Sequence, residues 1–486
     1  MRVRTLAAAT SIFALSLSAV SAAPAGGKPV APPAAALVTT ATAPNVVVVV
    51  TDDQRWDTLN DPAVSSAMPN LKREVLDFGV RLNGFTTNSW CCPGRAGILT
   101  GDYSHTNGVY TNGGTYGGFG AARKVDGQMV NNWLHGAGYR TGMVGKWFNG
   151  YVAPYVPPGW DYFSAFTGYV GNEGGAYYDY DLVTGGVATH YGTTAADYST
   201  DVLANRAVSF LQETPADQPA FLYFAPFGPH APATPAPRHA GALNSLQFTH
   251  APSLGEADVT DKPAFIRALA QGSTSAATFS ALMRKHMRPL MSEDDAIGRL
   301  IAELKAQGRW ENTVFILVSD NGYGRNEHRW ASKEVAYEES IRVPMVIRYD
   351  PWTATAAPRS DSRFALNIDL APTIADAAGV TPSAPVDGQS LRPLLTNDPT
   401  AIWRTDFLVE HLRGSTTDRV PTFCAVRNEH TKYVRYRTGE EELYDLDADP
   451  YELQSQHGST TYAAVKAAML TRLRQLCSPP PPGFTP

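Results

Sequence analysis

Five apolar runs rich in β-branched and aromatic residues recur along this chain, and segments with helical patterns separate them. The runs cover residues 45–51, 139–144, 220–225, 313–319 and 343–349. Short apolar runs that alternate with helices are typical of buried strands in a largely parallel sheet covered by helices on both faces. The pattern therefore predicts an α/β fold.

Polar side chains follow the first four of these runs within a few residues. They are Asp52 and Asp53, Lys146, His230, and Asp320 with Asn321. Ligands of open α/β sheets bind outside the carboxyl ends of the strands, so these groups are expected at one edge of the sheet. Residues that are distant in sequence are thus predicted to share one cleft.

A segment of helical periodicity leads into the fourth run. Ile297, Leu300, Ile301 and Leu304 recur at helical spacing and predict a helix over residues 291–307, which Gly308 would end. The helix would deliver the chain to the strand before Asp320.

The pattern changes after residue 395, where the turn-like segment 396–399 follows. Short runs at 407–411, 423–427, 432–436 and 442–445 predict antiparallel strands, and residues 462–476 predict a helix. We therefore expect a main domain at 44–395, a smaller α+β subdomain at 396–478 and a disordered Pro-rich tail at 479–486.

Composition and charge narrow the class of protein. The chain has 486 residues, of which 43% are hydrophobic and 10% aromatic, as expected of a globular protein. Its formal net charge of -6 argues against nucleic acid or an anionic membrane as the main partner, because either would need a basic surface. Anion recognition must therefore be local.

The amino terminus reads as a secretory signal. Basic residues precede an apolar stretch over 6–20, and small residues follow, so cleavage near residue 22 is expected, with 23–43 as a flexible leader. No other segment is long and apolar enough to span a bilayer, so the mature protein is predicted to be secreted and free of the membrane. A membrane-anchored form that keeps the segment is the alternative.

The run Cys-Cys-Pro-Gly-Arg-Ala-Gly-Ile-Leu-Thr-Gly at 91–101 is the most informative feature of the chain. Pro93 suits a first helical position, which would place Cys91 at a helix N-terminus, where free N–H groups favour an anion. Arg95, one turn on, would offer planar donors to the same anion. The alternative is a buried structural thiol pair before an ordinary helix.

The pattern C-x-P-x-R followed by L-T-G resembles the signature of the type I, formylglycine-dependent sulfatases. The double cysteine and the helix before Asp320 are most similar to the N-acetylglucosamine-6-sulfatase branch, and the resemblance extends to residues 443–446 and 449–450. It implies an alkaline-phosphatase-like sheet. It also implies that a formylglycine-generating enzyme oxidises Cys91, and not Cys92, to formylglycine (3-oxoalanine), whose hydrate is the nucleophile.

The carboxylates after two strands form a set of hard oxygen ligands suited to calcium. The resemblance implies that Asp52, Asp53, Asp320 and Asn321, with the oxygen at position 91 that derives from Cys91, hold a divalent ion. This ion is usually Ca²⁺, and Mg²⁺ is the alternative. Taken alone, paired aspartates after a strand could also cap a helix or form a turn.

Lys146, His230 and Lys333 match positions that, by the resemblance, hold sulfate oxygens or protonate the leaving alcohol. Two positions depart from the family pattern, because Phe148 and Gly324 stand where many sulfatases have histidine. Only His328 fits a later histidine. His230 is therefore the preferred general acid.

Residues 151–191 are dense in tyrosine and glycine, and this segment could either pack as a loop or form a sugar-binding wall. Only four cysteines occur. Modification of Cys91 would leave Cys92 as a buried thiol, and Cys424 could then pair with Cys477 in an oxidising compartment. A zinc site is not expected, since no cluster of cysteine and histidine is present.

The resemblance implies an enzyme that hydrolyses a sulfate monoester of a small molecule or glycan, such as 6-sulfo-N-acetylglucosamine. One alternative is a phosphodiesterase or phosphonate monoester hydrolase of the same superfamily. Another is a non-catalytic sugar-binding relative, if Cys91 is never oxidised. The sequence leaves the substrate, the position of the sulfate and the oligomeric state open.

Overall fold

The computed structural model describes residues 43–168, 176–354 and 359–486, which belong to one compact unit. The predicted signal peptide and leader lie outside the described residues. None of the helices in the described part of the chain is long and apolar enough to cross a membrane.

Eleven strands form the main sheet, with the order β11-β2-β10-β8-β1-β7-β3-β4-β5-β6 and with β9 paired to β2. These strands are β1 (Asn45–Thr51), β2 (Val80–Phe85), β3 (Arg140–Gly145), β4 (Tyr162–Phe166), β5 (Tyr180–Thr184), β6 (Val187–Tyr191), β7 (Ala220–Ala225), β8 (Thr313–Ser319), β9 (Arg342–Val343), β10 (Met345–Arg348) and β11 (Arg359–Leu366).

The centre of this sheet is parallel. β1 pairs in parallel with β7 and β8, and β3 pairs in parallel with β7 and β4. Every residue of β1 is buried, as a strand covered on both faces requires. The α/β prediction is confirmed, but the run at 343–349 is split at Pro344, and its second part, β10, lies antiparallel to β8.

The helices are α1 (Ala63–Ala67), α2 (Pro69–Leu71), α3 (Cys91–Thr100), α4 (Ser104–Asn107), α5 (Gly118–Ala122), α6 (Val130–Gly136), α7 (Ser199–Glu213), α8 (Ala264–Arg267), α9 (Ala276–Ala306), α10 (Glu338–Ile341), α11 (Asp350–Thr353), α12 (Leu370–Ala378), α13 (Arg392–Leu395) and α14 (Ala463–Leu476). α9 begins fifteen residues earlier than the sequence pattern predicts. Its first half contains Pro289 yet buries Phe279, Met283 and Met287 at helical spacing, so tertiary packing keeps the helix continuous.

A second, antiparallel sheet of four strands has the order β12-β13-β14-β15. Its strands are β12 (Asp406–His411), β13 (Phe423–Asn428), β14 (Thr431–Tyr436) and β15 (Glu441–Asp445). Each lies within one residue of its predicted position, and α14 starts one residue after its predicted start. The change of sheet falls between α13 and β12, and the domain boundary at residue 395 stays a prediction.

A disulfide joins Cys424 of β13 to Cys477, at the end of α14, across 53 positions of sequence. The predicted pairing is therefore confirmed. Residues 479–486 continue from it, and Phe484 is buried in the same apolar cluster as Leu473. The expected disordered tail is therefore wrong for this segment, because its aromatic ring packs against the C-terminal sheet.

Candidate active site

Four neighbouring strands deliver polar residues to one edge of the main sheet. Asp52 follows β1, Lys146 follows β3, His230 lies five residues after β7, and Asp320 follows β8. The backbone locks two of these ends together, because Asp52 N donates to the Gly228 carbonyl at 2.9 Å. The carboxyl ends of parallel strands thus bring the predicted residues into one cluster.

Cys91 lies at the centre of this cluster. α3 begins at Cys91 itself, so Pro93 is its third residue and not the first. The buried sulfur accepts a hydrogen bond from Lys333 Nζ at 2.8 Å and lies 3.6 Å from Asp52 Oδ1. Burial and the neighbouring Asp52 charge raise the pKa of Cys91 to about 12, so the thiol stays protonated at neutral pH.

The guanidinium of Arg95 forms its hydrogen bonds with other groups of the protein. Its Nε donates to Asp320 Oδ2 at 2.9 Å, its Nη2 to Asp52 Oδ2 at 3.2 Å, and its Nη1 to the Lys146 carbonyl at 2.8 Å. The expectation that Arg95 meets the substrate anion is not what the structure shows. Its guanidinium instead holds two carboxylates and one strand end in place.

Three carboxylates converge at the strand ends. Oxygens of Asp52, Asp53 and Asp320 all lie within 4.8 Å of one another, and all three side chains are buried. Burial and the charge of Asp52 raise the pKa of Asp320. Asn321 donates to Asp53 at 2.7 Å, while its own buried Oδ1 has no hydrogen-bond partner. An unpaired amide oxygen beside three carboxylates is a donor set that fits a hard divalent cation.

Two buried lysines face this carboxylate cluster. Lys146 Nζ is in direct contact with Asp52, and Lys333 Nζ with Asp53. Burial would raise the pKa of Asp52, but Lys146 and the other cations around it hold that pKa well below its usual range. Burial likewise opposes the charge of Lys333, yet Asp53 and its neighbours raise its pKa. Both ammonium groups therefore remain charged at neutral pH.

His230 lies at the rim of the cluster, with its Nε2 3.7 Å from Asp53 Oδ2 and its side chain 20% exposed. The Phe227 ring packs 4.8 Å from the imidazole, and Tyr177 OH donates to the His230 carbonyl at 2.8 Å. Phe227 also lies under Lys146, with Nζ 5.4 Å from the ring centroid. Sequence reasoning missed Phe227, although it lies only three residues before His230.

The two residues that depart from the family pattern, Phe148 and Gly324, add no polar side chain to the cluster around Cys91. Phe148 is buried against Trp147, with ring centroids 4.8 Å apart. A Cβ atom at Gly324 would lie 2.8 Å from the Trp330 carbonyl, so the backbone is too close for a side chain there. His328 stacks on Tyr337 at 4.0 Å and is buried away from the cluster around Cys91.

The other expected features are packed in the interior. Cys92 is a buried free thiol whose sulfur accepts a hydrogen bond from Asn149 N at 3.3 Å. In the tyrosine-rich segment, Tyr177 and Tyr180 are buried, and Tyr180 OH donates to the Asp197 carbonyl at 3.0 Å. Tyr177 packs in a loop and Tyr180 at the start of β5, whereas residues 169–175 lie outside the described part of the chain.

Comparison with known proteins places this site in a family. Residues 44–380 match the family described as Sulfatase, and residues 326–478 match the one described as N-sulphoglucosamine sulphohydrolase, C-terminal. An N-acetylglucosamine-6-O-sulfatase of Bacteroides thetaiotaomicron is 28% identical over 84% of this chain and 81% of that protein. The human N-acetylglucosamine-6-sulfatase is 32% identical over 74% of this chain and 66% of its own length.

A solved structure shows the same fold at comparable coverage. It contains a protein in complex with its substrate D-glucosamine-2-N,6-O-disulfate, and it has a TM-score of 0.77, 25% identity, and coverage of 90% of this chain and 98% of that one. The first family match spans more than half of the chain and includes the whole cluster around Cys91. The chain therefore belongs to the sulfatase family, a family of sulfuric ester hydrolases, and it resembles the N-acetylglucosamine-6-sulfatases within it.

Proposed function

We propose that this protein hydrolyses a sulfate monoester of a sulfated sugar, such as 6-sulfo-N-acetylglucosamine, with Cys91 oxidised to formylglycine and with a bound calcium ion. The observation that carries the proposal is the position of Cys91. It begins a helix, touches Lys333, and lies 3.6 Å from Asp52, one of three converging carboxylates. Groups that could bind and cleave a sulfate ester therefore gather around position 91.

The proposed ion ligands are Asp52, Asp53, Asp320 and Asn321, together with the oxygen that replaces the sulfur at position 91. The fit rests on the convergence of the three carboxylates within 4.8 Å and on the unpartnered oxygen of Asn321. Hard oxygen donors favour Ca²⁺, and Mg²⁺ would demand stricter octahedral geometry. When bound, the ion and the formylglycine hydrate would supply positive charge and a hydroxyl nucleophile.

The side chains around this position have separate tasks in the proposal. Lys146 and Lys333, both charged and buried, hold the sulfate oxygens and stabilise the charge that develops on them. The positive end of the α3 dipole lies beside the same position and favours the same anion, although the Cys92 N–H of this helix start already donates to Asn112. Arg95 is a positioning residue, since its hydrogen bonds keep Asp52 and Asp320 at their separation.

His230 is the proposed general acid. It is the partly exposed titratable group at the rim of the cluster, where the leaving alcohol would depart. Its Nδ1 contacts the Ala231 carbonyl at 2.8 Å, which favours a proton on Nδ1 and leaves Nε2 to face the reaction. Protonation at Nε2 then lets His230 deliver that proton to the alcohol oxygen.

The substrate and the location of the enzyme follow from the relatives. Two relatives carry the name N-acetylglucosamine-6-sulfatase or its 6-O form, and one similar structure holds a sulfated glucosamine. We infer an exported enzyme that acts on glycan sulfate esters after a formylglycine-generating enzyme has matured it. The predicted signal peptide at 1–22 supports export.

The modification is tested by mass spectrometry of the peptide that contains position 91. We expect sulfur replaced by oxygen with loss of two hydrogens, and we expect Cys91→Ala to abolish turnover. Cys92→Ala is the matched control, because Cys92 is packed against Asn149 and should affect stability only. Active protein that carries only unmodified Cys91 would refute the mechanism.

The substrate class is tested by kcat/KM for 6-sulfo-N-acetylglucosamine, an aryl sulfate and an aryl phosphodiester under the same conditions. A site with polar groups for sugar hydroxyls should prefer the sugar strongly, since a substrate without those hydroxyls leaves buried donors unpaired. If the aryl sulfate is preferred by orders of magnitude, the sugar assignment fails. If the phosphodiester is preferred, the sulfatase assignment fails with it.

A further inference from the structure

A partly buried arginine and a buried histidine meet beside the proposed catalytic cluster, and neither belongs to it. Arg325 lies on the loop after β8, with its guanidinium 4.4 Å from the centroid of the Tyr323 ring. Its Nη2 contacts Nδ1 of His286, which α9 carries. The pair is close to the reaction site in the chain, because Arg325 lies four residues after the proposed ion ligand Asn321 on the same loop after β8.

Among the described residues, Arg325 has no carboxylate partner within ion-pair distance. The acid two residues on, Glu327, accepts a hydrogen bond from the Arg325 backbone N–H, but its carboxylate pairs with Arg55 at 3.0 Å. Arginines elsewhere in this loop are satisfied, since Arg329 donates to three backbone carbonyls. Arg325 is thus a partly buried cation without an anion.

The Arg325–His286 pair also has N–H donors without a hydrogen-bond partner in the protein. A guanidinium has only donors, so the Nδ1 of His286 must accept, and its proton is then on Nε2. Burial and the nearby Arg325 charge lower the pKa of His286 well below its usual value, so the ring is neutral. Both His286 Nε2 and Arg325 Nε are buried without any hydrogen-bond partner. Two donors without a protein partner and one net positive charge are costly unless a water or an anion accepts the donors, and an anion also balances the charge.

The loop leaves Arg325, but not His286, partly accessible to a ligand. Gly324 separates Tyr323 from Arg325 and has no room for a side chain. No side chain therefore stands between Tyr323 and Arg325 on this loop. Arg325 and Tyr323 are each partly exposed, whereas His286 forms the buried floor. An anion on a bound substrate could therefore reach the guanidinium from the solvent side.

We propose that Arg325, positioned by the buried His286 beneath it, forms an anion subsite for a second negatively charged group of the substrate, a sulfate or a carboxylate, next to the ester that is cleaved. The proposal rests on the proposed function and deepens it, because it assigns the enzyme to multiply charged sugar sulfates. Guanidinium groups bind both kinds of anion through paired N–H donors.

The test compares kcat/KM for three sugars: 6-sulfo-N-acetylglucosamine, glucosamine sulfated at both O6 and N2, and 6-sulfo-N-acetylglucosamine linked to a glucuronic acid. We expect the wild type to prefer one of the doubly charged sugars at least tenfold over the first, and which one it prefers identifies sulfate or carboxylate. Arg325→Gln should lower that ratio at least tenfold, mainly through KM. Arg325→Lys, which keeps the positive charge, should retain part of the preference for the doubly charged sugar.

The matched control is Arg299→Gln, an exposed arginine near the other end of α9 that should leave the ratio unchanged. A wild type without preference for either doubly charged sugar would overturn the subsite, as would an unchanged ratio in Arg325→Gln.

Calorimetry on Cys91→Ala separates this proposal from the proposed function, because it measures binding without turnover. We expect tighter binding of a doubly charged sugar than of 6-sulfo-N-acetylglucosamine, and loss of that difference on adding Arg325→Gln. If the wild type cleaves none of the three sugars but this difference is found, the proposed function fails and the subsite stands. If it cleaves the first sugar and no difference is found, the subsite fails and the proposed function stands.

Discussion

Two buried acidic groups in this protein have opposite surroundings. At the end of β1 and β8, three carboxylates crowd within 4.8 Å, with cationic side chains around them and with one amide oxygen unpartnered. In the C-terminal sheet, a single carboxylate, Glu442, accepts hydrogen bonds from Tyr337 at 2.7 Å, Tyr436 at 2.6 Å and Tyr444 at 2.7 Å. The first group leaves an amide oxygen without a partner in the protein, whereas neutral donors saturate the second.

The difference shows how a structural acid can be told from a ligand-binding one. Both groups are buried and both lie at strand ends or in strands, so burial alone does not separate them. Complete hydrogen bonding inside the protein leaves nothing for a ligand, as at Glu442. At Asp52, Asp53 and Asp320, like charges lie together with an unpaired acceptor beside them, which is the donor set that we propose holds a cation.

The largest effect is expected from Asp320→Ala. Loss of this carboxylate should remove the ion and lower kcat/KM roughly 10³-fold, comparable with the loss of a major charge-stabilising group. Calcium at 100 times its Kd should stabilise the wild type by about 2.7 kcal/mol through mass action, and it should not stabilise the variant. Thermal unfolding with and without calcium measures this. A folded Asp320→Ala protein with normal rate and full calcium response would contradict the ion assignment.

A smaller effect, confined to stability, is expected from Glu442→Ala. The change leaves three buried phenols without their acceptor and should cost about 3–5 kcal/mol of unfolding free energy. Urea denaturation gives the magnitude, and the calcium-dependent stabilisation should persist in the variant. If Glu442→Ala lost the stabilisation by calcium, Glu442 would also contribute to ion binding, and the distinction between the two acidic groups would be wrong.

The smallest effect concerns pH. Burial outweighs the tyrosine hydrogen bonds and raises the pKa of Glu442 above 4.5. The folded state then keeps its proton while the unfolded state loses it, so this group costs stability as pH rises from about 4.5, by at most about 1.4 kcal/mol per pH unit. Glu442→Gln has no such ionisation at position 442, so its unfolding free energy should not fall with pH for this reason. The difference by which the variant is less stable than the wild type should therefore become smaller between pH 4.5 and 7. A deficit that widens would mean that the carboxylate is ionised in the folded protein.

Several features followed from local pattern alone. The apolar run at 45–51 predicted β1 to the residue, and the antiparallel strands after residue 400 were predicted within one residue. The placement of Asp52 and Asp320 after neighbouring strands predicted that they meet. These predictions succeed because strand period and the polarity of strand ends are set by adjacent residues.

Other features needed the folded chain. The periodicity after residue 290 predicted only the second half of α9, so His286 fell outside the expected helix. Arg95 was expected to face the substrate, but its donors are taken by Asp52 and Asp320. Each outcome depends on a partner that lies far away in sequence, which no local pattern contains.

The α/β class, the edge of the sheet where the polar residues gather, and the motif at 91–101 that carries the family resemblance can all be identified from local sequence. Which of those polar groups find partners within the protein, and which keep an atom without one, depends on the tertiary packing. Hydrogen-bond saturation is a matter of distances between side chains more than two hundred residues apart, as for Arg95 and Asp320. Such distances are set by the packing of the whole sheet, and they separate Glu442, closed by three tyrosines, from Asn321 and Arg325, which still have groups to offer.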